Sequence, residues 1–90
     1  MPQYVIERHI PGAGALSPDE LRLISRKACA ILDRLGPRIR WHQSLVTDDC
    51  VYCVYSAESE ALVYEHSREG GFPISRVSEV RAVIDPTTAL

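Results

Sequence analysis

Cys50-Val51-Tyr52-Cys53-Val54-Tyr55 is the stretch from which the rest of the chain can be read. It carries no charge, and Val and Tyr recur in it, a composition suited to a pleated strand. Alternation puts Val51, Cys53 and Tyr55 on one face and Cys50, Tyr52 and Val54 on the other. Neither face is clearly polar, so the stretch reads as a central strand covered on both sides. One layer of helices can cover one face. In a chain of 90 residues little remains for the second, and another copy of the sheet is the simplest cover. The expectation is a homodimer, sheet against sheet.

Upstream, Asp48-Asp49 makes the turn of a hairpin whose other arm is Ile39 to Thr47. In that arm Trp41, Gln43 and Leu45 alternate with His42, Ser44 and Val46. Both faces are mixed, which suits a strand nearer the sheet edge. Before it lies a helix with clear signals: Ser17 as N-cap, Pro18 at the first position and Glu20 completing a capping box. Leu21, Ile24, Ala28, Ile31, Leu32 and Leu35 follow at helical spacing, and Gly36-Pro37 stops the helix. Tyr4 to Ile10 is a first strand, with Tyr4, Ile6, Arg8 and Ile10 on one face and Val5, Glu7 and His9 on the other. Pro11-Gly12-Ala13-Gly14-Ala15 breaks it. No Gly-Lys-Ser/Thr follows these glycines, so they read as a connection and not a phosphate loop.

Downstream, Ser56 or Ser59 caps a second helix that runs to Arg68 or Glu69, with Leu62, Val63 and His66 on one side. Gly70-Gly71 ends it, Phe72 can fold back on the last turn, and Pro73 prevents continuation. Val77 to Asp85 reads as the last strand. Val80, Ala82 and Ile84 form its apolar face; Val77, Glu79, Arg81 and Val83 form a mixed one. The order β-α-β-β-α-β predicts an α+β, ferredoxin-like domain spanning residues 1–90. Its antiparallel sheet has the first and last strands beside the central one, and both helices cover the face of Val80, Ala82 and Ile84.

The bulk composition bounds the function. A 46% hydrophobic content argues against disorder, and a net charge of -2 gives no reason to expect nucleic acid or an anionic membrane as partner. No apolar run has signal-peptide or membrane-span character, which predicts a soluble, cytoplasmic protein. Three cysteines are an odd number, so free thiols are expected.

Six segments carry a resemblance: Ile6-Glu7-Arg8 with Pro11-Gly12-Ala13-Gly14, Val46-Thr47-Asp48-Asp49, Tyr52-Cys53-Val54-Tyr55, Glu65-His66, Gly70-Gly71-Phe72-Pro73 and Ile84-Asp85-Pro86-Thr87-Thr88. In this order they resemble a family of small bacterial ferredoxin-like proteins, mostly of unknown function, with a nickel-binding branch. The resemblance implies a ferredoxin-like monomer and a dimeric α+β barrel. Cys50 and His42 depart from the family pattern, so any role for them is local to this protein.

Two chemistries compete. A divalent transition metal, nickel by the resemblance, could take imidazole nitrogens from His9, His42 and His66 and oxygens from Glu7, Asp48, Asp49 or Glu65. No two histidines share helical i, i+4 spacing, so such a site has to be assembled across strands or across a dimer. The reading is a non-catalytic metal-binding protein, in sequestration or sensing. The alternative is an enzyme or carrier for a small molecule, with His66 as general base beside Tyr52 or Tyr55. Cofactor-free monooxygenases, isomerases and cyclases of the dimeric α+β barrel type give that reading an analogy of fold. The plainer readings are a helix-end His66 bonded to a backbone carbonyl, and surface roles for the other histidines. Cys50-x-x-Cys53 has metal-knuckle spacing, but an extended strand sends the two thiols to opposite faces. Glu7, His9, Glu79 and Arg81 are expected as one polar cluster on the first and last strands, either lining a cavity or pairing at an interface.

Overall fold

A computed structural model describes residues 1–90. The strands are β1 (Gln3–His9), β2 (Ile39–Val46), β3 (Cys50–Ala57) and β4 (Arg76–Glu79), and the helices are α1 (Pro18–Leu35) and α2 (Glu60–Gly70). They form one antiparallel sheet in the order β2-β3-β1-β4. The uncharged Cys50 stretch is hydrogen-bonded on both edges, to β1 and to β2, and β1 separates it from β4. This is the split βαβ connectivity expected from the element order. No helix is long and apolar enough to cross a membrane.

The helix ends follow local chemistry. The Glu20 N–H donates to Ser17 Oγ (3.1 Å), and the Ser17 N–H donates to Glu20 Oε1 (3.0 Å). Together they satisfy two of the donors that a helix start leaves unpaired. Gly36, at φ 78°, closes α1 with its N–H on Leu32 O. Ser59, not Ser56, is the N-cap residue of α2, because Ser56 is still paired within β3. Gly71 (φ 68°) takes the left-handed conformation after α2, and the Phe72 N–H returns to Ser67 O at 2.9 Å. The Phe72 ring then lies against Gly70. A Cβ there would stand 2.3 Å from the ring, so the Gly-Gly-Phe run is fixed by contact as well as by turn geometry.

Both helices pack on one face of the sheet. Tyr4 and Ile6 of β1, Cys53, Tyr55 and Ala57 of β3, Ile39 of β2, and Leu62 and Val63 of α2 form the core, with Leu32 and Leu35 of α1 packed against it. Burying a side chain such as Ile6 contributes roughly 1.5–3 kcal/mol.

Two strands differ from the simple alternation. In β2 a bulge at His42 breaks the register between Trp41 and Gln43. The extra residue shifts the phase of everything after it. Trp41, Ser44 and Val46 therefore face the helices opposite Tyr55, Cys53 and Val51, while Gln43 and Leu45 face away. The Trp41 Nε1–H donates to Ser44 Oγ at 2.9 Å across the bulge.

In β4 the strand ends at Glu79, and Val77 sits opposite Ile6. Val77, not the Val80-Ala82-Ile84 set, supplies the face toward the helices. The last bond joining this strand to β1 runs from the Val80 N–H to Gln3 O, 2.8 Å. Beyond that point β1 has no paired residues left, and the chain leaves the sheet. Val83 and Ile84 are 74% and 78% exposed. The expected Glu7-His9-Glu79-Arg81 cluster is divided as a result. Glu79 shares its pairing level with core-facing Tyr4 and bonds Arg81 (3.0 Å), while Glu7 lies 4.0 Å from Arg76 Nε.

Candidate functional site

Odd residues of β1 and even residues of β3 point away from the helices; the segment after β4 (Val80, Ala82, Val83 and Ile84) lines a hollow with Gln3, Val5, His42 and Val54 at one end of that face, and the other end, where His9 stands exposed, lies outside that hollow. The register aligns Val5 with Val54, Glu7 with Tyr52 and His9 with Cys50. Imidazole, thiol, carboxylate and phenol thus gather at one end. Their proximity shows in the phenol: the Cys50 thiol, through its charge when ionised and through a hydrogen bond, raises the pKa of Tyr52, and Glu7 adds to the effect. The Asp48-Asp49 turn lies at the same end. The Ile10 N–H donates to Asp49 O (2.9 Å), and the Gly12 N–H donates to Asp49 Oδ1 (2.9 Å). Asp48 O accepts from the Gly14 N–H at 3.0 Å. Asp48 and Asp49 therefore hold the connection after β1.

His42 is elsewhere. It sits at the bulge, with Nε2 2.6 Å from Ser56 Oγ. Its level on the sheet is near Val54, roughly 14 Å along the strand from Cys50 at about 3.4 Å per residue. No group of three or more His, Cys, Asp or Glu side chains in one chain comes close enough to hold a metal ion.

His66 lies on the other side of the sheet and is fully buried. Its Nε2–H donates to Ala28 O of α1 (3.3 Å), and its ring packs against Tyr55 (5.4 Å between centroids) and Phe72 (5.7 Å). Nδ1 is buried without a partner. Burial holds the imidazole pKa below its ordinary value; the Ala28 bond opposes this, and the charge of Arg8 reinforces it. The expected inward orientation with Leu62 and Val63 is observed. Tyr55 is its tyrosine neighbour, with a pKa raised to about 12 chiefly by burial. Tyr52 is on the opposite face, so the pairing of His66 with Tyr52 is not formed. Nor does His66 meet His9, His42 or the carboxylates of the open face.

Arg8 is the residue that sequence reasoning passed over. It is 3% exposed, and none of the ion pairs in the chain includes it. Its Nη1 donates to Ser67 Oγ and Pro73 O, both at 3.0 Å, and its Nε to Cys53 Sγ at 3.4 Å. The guanidinium carbon stands 5.6 Å from the Phe72 ring centre. Nη2 is buried with no partner. A guanidinium keeps its charge, and an unpaired buried charge is costly. The signal was in the sequence: Arg8 is in phase with Tyr4 and Ile6 on the core face of β1.

Residues 4–80 match the SCO4226-like family, described as nickel responsive protein SCO4226-like. The chain belongs to this family. The crystal structure of SCO4226 from Streptomyces coelicolor A3(2) superimposes with a TM-score of 0.76, at 14% identity, over 91% of this chain and 99% of that one. At that identity the likeness establishes the fold and no more. No protein of curated function matches the chain.

The SCO4226-like match takes in both the His9-Cys50 end and the Arg8-His66 cluster, and stops where the chain leaves the sheet after β4. Cys50 is the second residue missing from the sequence-derived candidates. Paired in thought with Cys53, it looked like half of an unworkable knuckle. Its partner across the sheet is His9, which only the β1–β3 register reveals.

Proposed function

We propose that this protein is a small homodimer of ferredoxin-like units, a dimeric α+β barrel, that binds a divalent transition metal, nickel first, in sequestration or sensing and without catalysis. The observation that carries the reading is the His9-Cys50 pair, with Glu7 one pairing level along, at the end of the sheet face away from the hollow that the segment after β4 lines. Imidazole and thiolate are donors that first-row metals such as nickel accept, and a carboxylate adds a hard oxygen. The nickel-responsive description of the family points to the same chemistry.

One chain supplies too few neighbouring donors for a complete site. A second copy placed face to face brings a second set. The same side of the sheet carries exposed apolar side chains that a partner would bury: Leu45, 56% exposed, with Val83 and Ile84 of the segment that lines a hollow with Val5 and Val54. Cys50 has to lose its proton to bind, so uptake should release protons.

Native mass spectrometry of the tag-free protein, with and without nickel, tests the proposal. A dimer that gains a fixed number of nickel ions at low excess, and loses them in His9→Ala and Cys50→Ser, supports it. A dimer indifferent to nickel would remove the metal reading, and a monomer in both conditions would remove the sheet-to-sheet assembly.

A further inference from the structure

Residues 80–85 have the alternation of a strand but lie outside the sheet. The Val80 N–H still donates to Gln3 O at 2.8 Å. Beyond it, the N–H and C=O groups of Arg81, Ala82, Val83 and Ile84 bond nothing in the chain. Nor does the segment pack down on its own sheet. A hollow of about 550 Å³ lies between it and Val5, Val54 and His42, and Val83 and Ile84 stay largely exposed. Its far end is tied off locally: Asp85 Oδ1 accepts from the Thr87 N–H (2.8 Å), and the Asp85 N–H donates to Thr88 Oγ1 (3.0 Å). What stands free is a short extended stretch with unpaired backbone and apolar side chains.

The sheet has an unpaired edge that matches it. β2 is bonded to β3 on one side and to no strand on the other. After the His42 bulge it runs regularly through Gln43, Ser44, Leu45 and Val46. Leu45 faces away from the helices and Val46 toward them, and both are exposed. In an extended chain Val83 and Ile84 likewise point to opposite faces. We infer that residues 81–84 of one copy add as a strand to the free edge of β2 in a second copy, and that the exchange is reciprocal. The inference rests on the homodimer of the proposed function but not on its metal. Strand addition gives both sets of unpaired backbone groups their partners. It also sets one exposed apolar side chain of the segment beside Leu45 on one face and the other beside Val46 on the opposite face. Within one chain the match cannot form, because β1 and β3 stand between β4 and β2. The other edge, β4, is short and carries exposed Arg76 and Glu79, features that discourage pairing.

The reach is sufficient. In a pair of sheets packed face to face, a two-fold axis parallel to the strands lays the partner's β2 over β4, about 10 Å away. The four steps from Val80 to Ile84 span about 13 Å when extended. The same axis sets the partner's β3 over β1 and brings the two His9-Cys50 ends together, while the departing segment clears the face that the partner's sheet would cover.

The test is an isotope-filtered NOE experiment on the full-length, tag-free protein, with ¹³C,¹⁵N-labelled and unlabelled chains mixed in equal amounts and the mass followed by light scattering. The Val83 and Ile84 methyls of labelled chains should show contacts to Leu45 and Val46 of unlabelled ones. Amides on alternate residues of 81–84 should exchange with solvent at least about tenfold more slowly than in an unfolded chain. The double substitution Ala82→Pro with Val83→Pro removes one N–H of each parity. Those groups bond nothing in a single copy, so the urea midpoint of the monomer should not move, while the dimer Kd should rise by about tenfold. A dimer whose Val83 and Ile84 contacts all lie within one chain overturns the exchange and leaves the sheet-to-sheet assembly standing. So does a dimer with unprotected 81–84 amides, or one that the two prolines do not weaken. A monomeric mass overturns both.

Discussion

His9 and Cys50 face each other directly across the β1–β3 ladder, with both side chains turned away from the helices. Forty-one positions separate them in the sequence by number, and only the register of two antiparallel strands joins them. The pair is the natural target for the first prediction. His9→Ala and Cys50→Ser should each weaken nickel binding by at least about tenfold, the scale on which loss of a single supporting interaction is felt at metal sites. His42→Ala, roughly 14 Å away by strand rise, should leave it unchanged. Isothermal titration of tag-free protein decides; an effect of His42 as large as that of His9 would place the metal elsewhere.

Leu45 tests the assembly independently of the metal. It follows the bulge on edge strand β2, points away from the helices and is 56% exposed. Leu45→Lys removes little from the monomer's core. It does place a charge in the interface of two sheets packed face to face, where an unpaired cation is strongly unfavourable. Light scattering should therefore register a monomeric mass for the variant at a concentration where the parent chain is dimeric. The urea midpoint of the isolated fold should move little. An unaltered dimer would show that the chain associates through another surface.

Much of the architecture was legible because it is written locally. Ser17-Pro18-Asp19-Glu20 carries its own capping box, and Gly70-Gly71-Phe72 its own terminator. The central strand was legible from its lack of charge. The errors came where a strand takes its phase from its partner. His42 looks like any alternating residue until the bulge is seen, and Val77 is assigned to the core by Ile6, not by its own neighbours. The Val80-Ala82-Ile84 alternation was persuasive, but β1 is too short to pair with it. The candidate site was less legible still. Tyr52 and His66 were separated by the sheet itself, and Cys50 acquired its neighbour only through register. Arg8 was placed on the core face, but its lack of a counter-charge is a property of three dimensions.

His66 makes stability depend on pH in a definite direction. Its folded pKa lies below the ordinary 6.5, chiefly through burial. The unfolded chain therefore binds a proton more readily than the folded one over the window from about 6.5 down to the folded value. The stabilisation from keeping His66 neutral is fully present above 6.5 and is lost as pH falls through that window. The slope reaches up to about 1.4 kcal/mol per pH unit. His66→Gln, which keeps a donor for Ala28 O but does not titrate, should flatten the dependence. Urea denaturation from pH 7.5 to 5 provides the measurement, and parallel curves for the two proteins would count against the account.

Gly70 sets two effects against each other. Within an exposed helix, Gly→Ala gains roughly 1 kcal/mol from propensity alone. Here the added Cβ would stand 2.3, 2.5 and 2.7 Å from three carbons of the Phe72 ring. That ring has little room to yield. Arg8 lies over it at 5.6 Å, His66 packs on it at 5.7 Å, and the Phe72 N–H is bonded to Ser67 O. Overpacking of this kind costs about 1–3 kcal/mol, so Gly70→Ala should be net destabilising despite its better propensity. Truncating the ring removes the conflict. In the Phe72→Ala background, Gly70→Ala should become neutral or stabilising. The double-mutant cycle by chemical denaturation therefore has a predicted sign change, and a Gly70→Ala effect of the same sign in both backgrounds would show that the ring is not what requires the glycine.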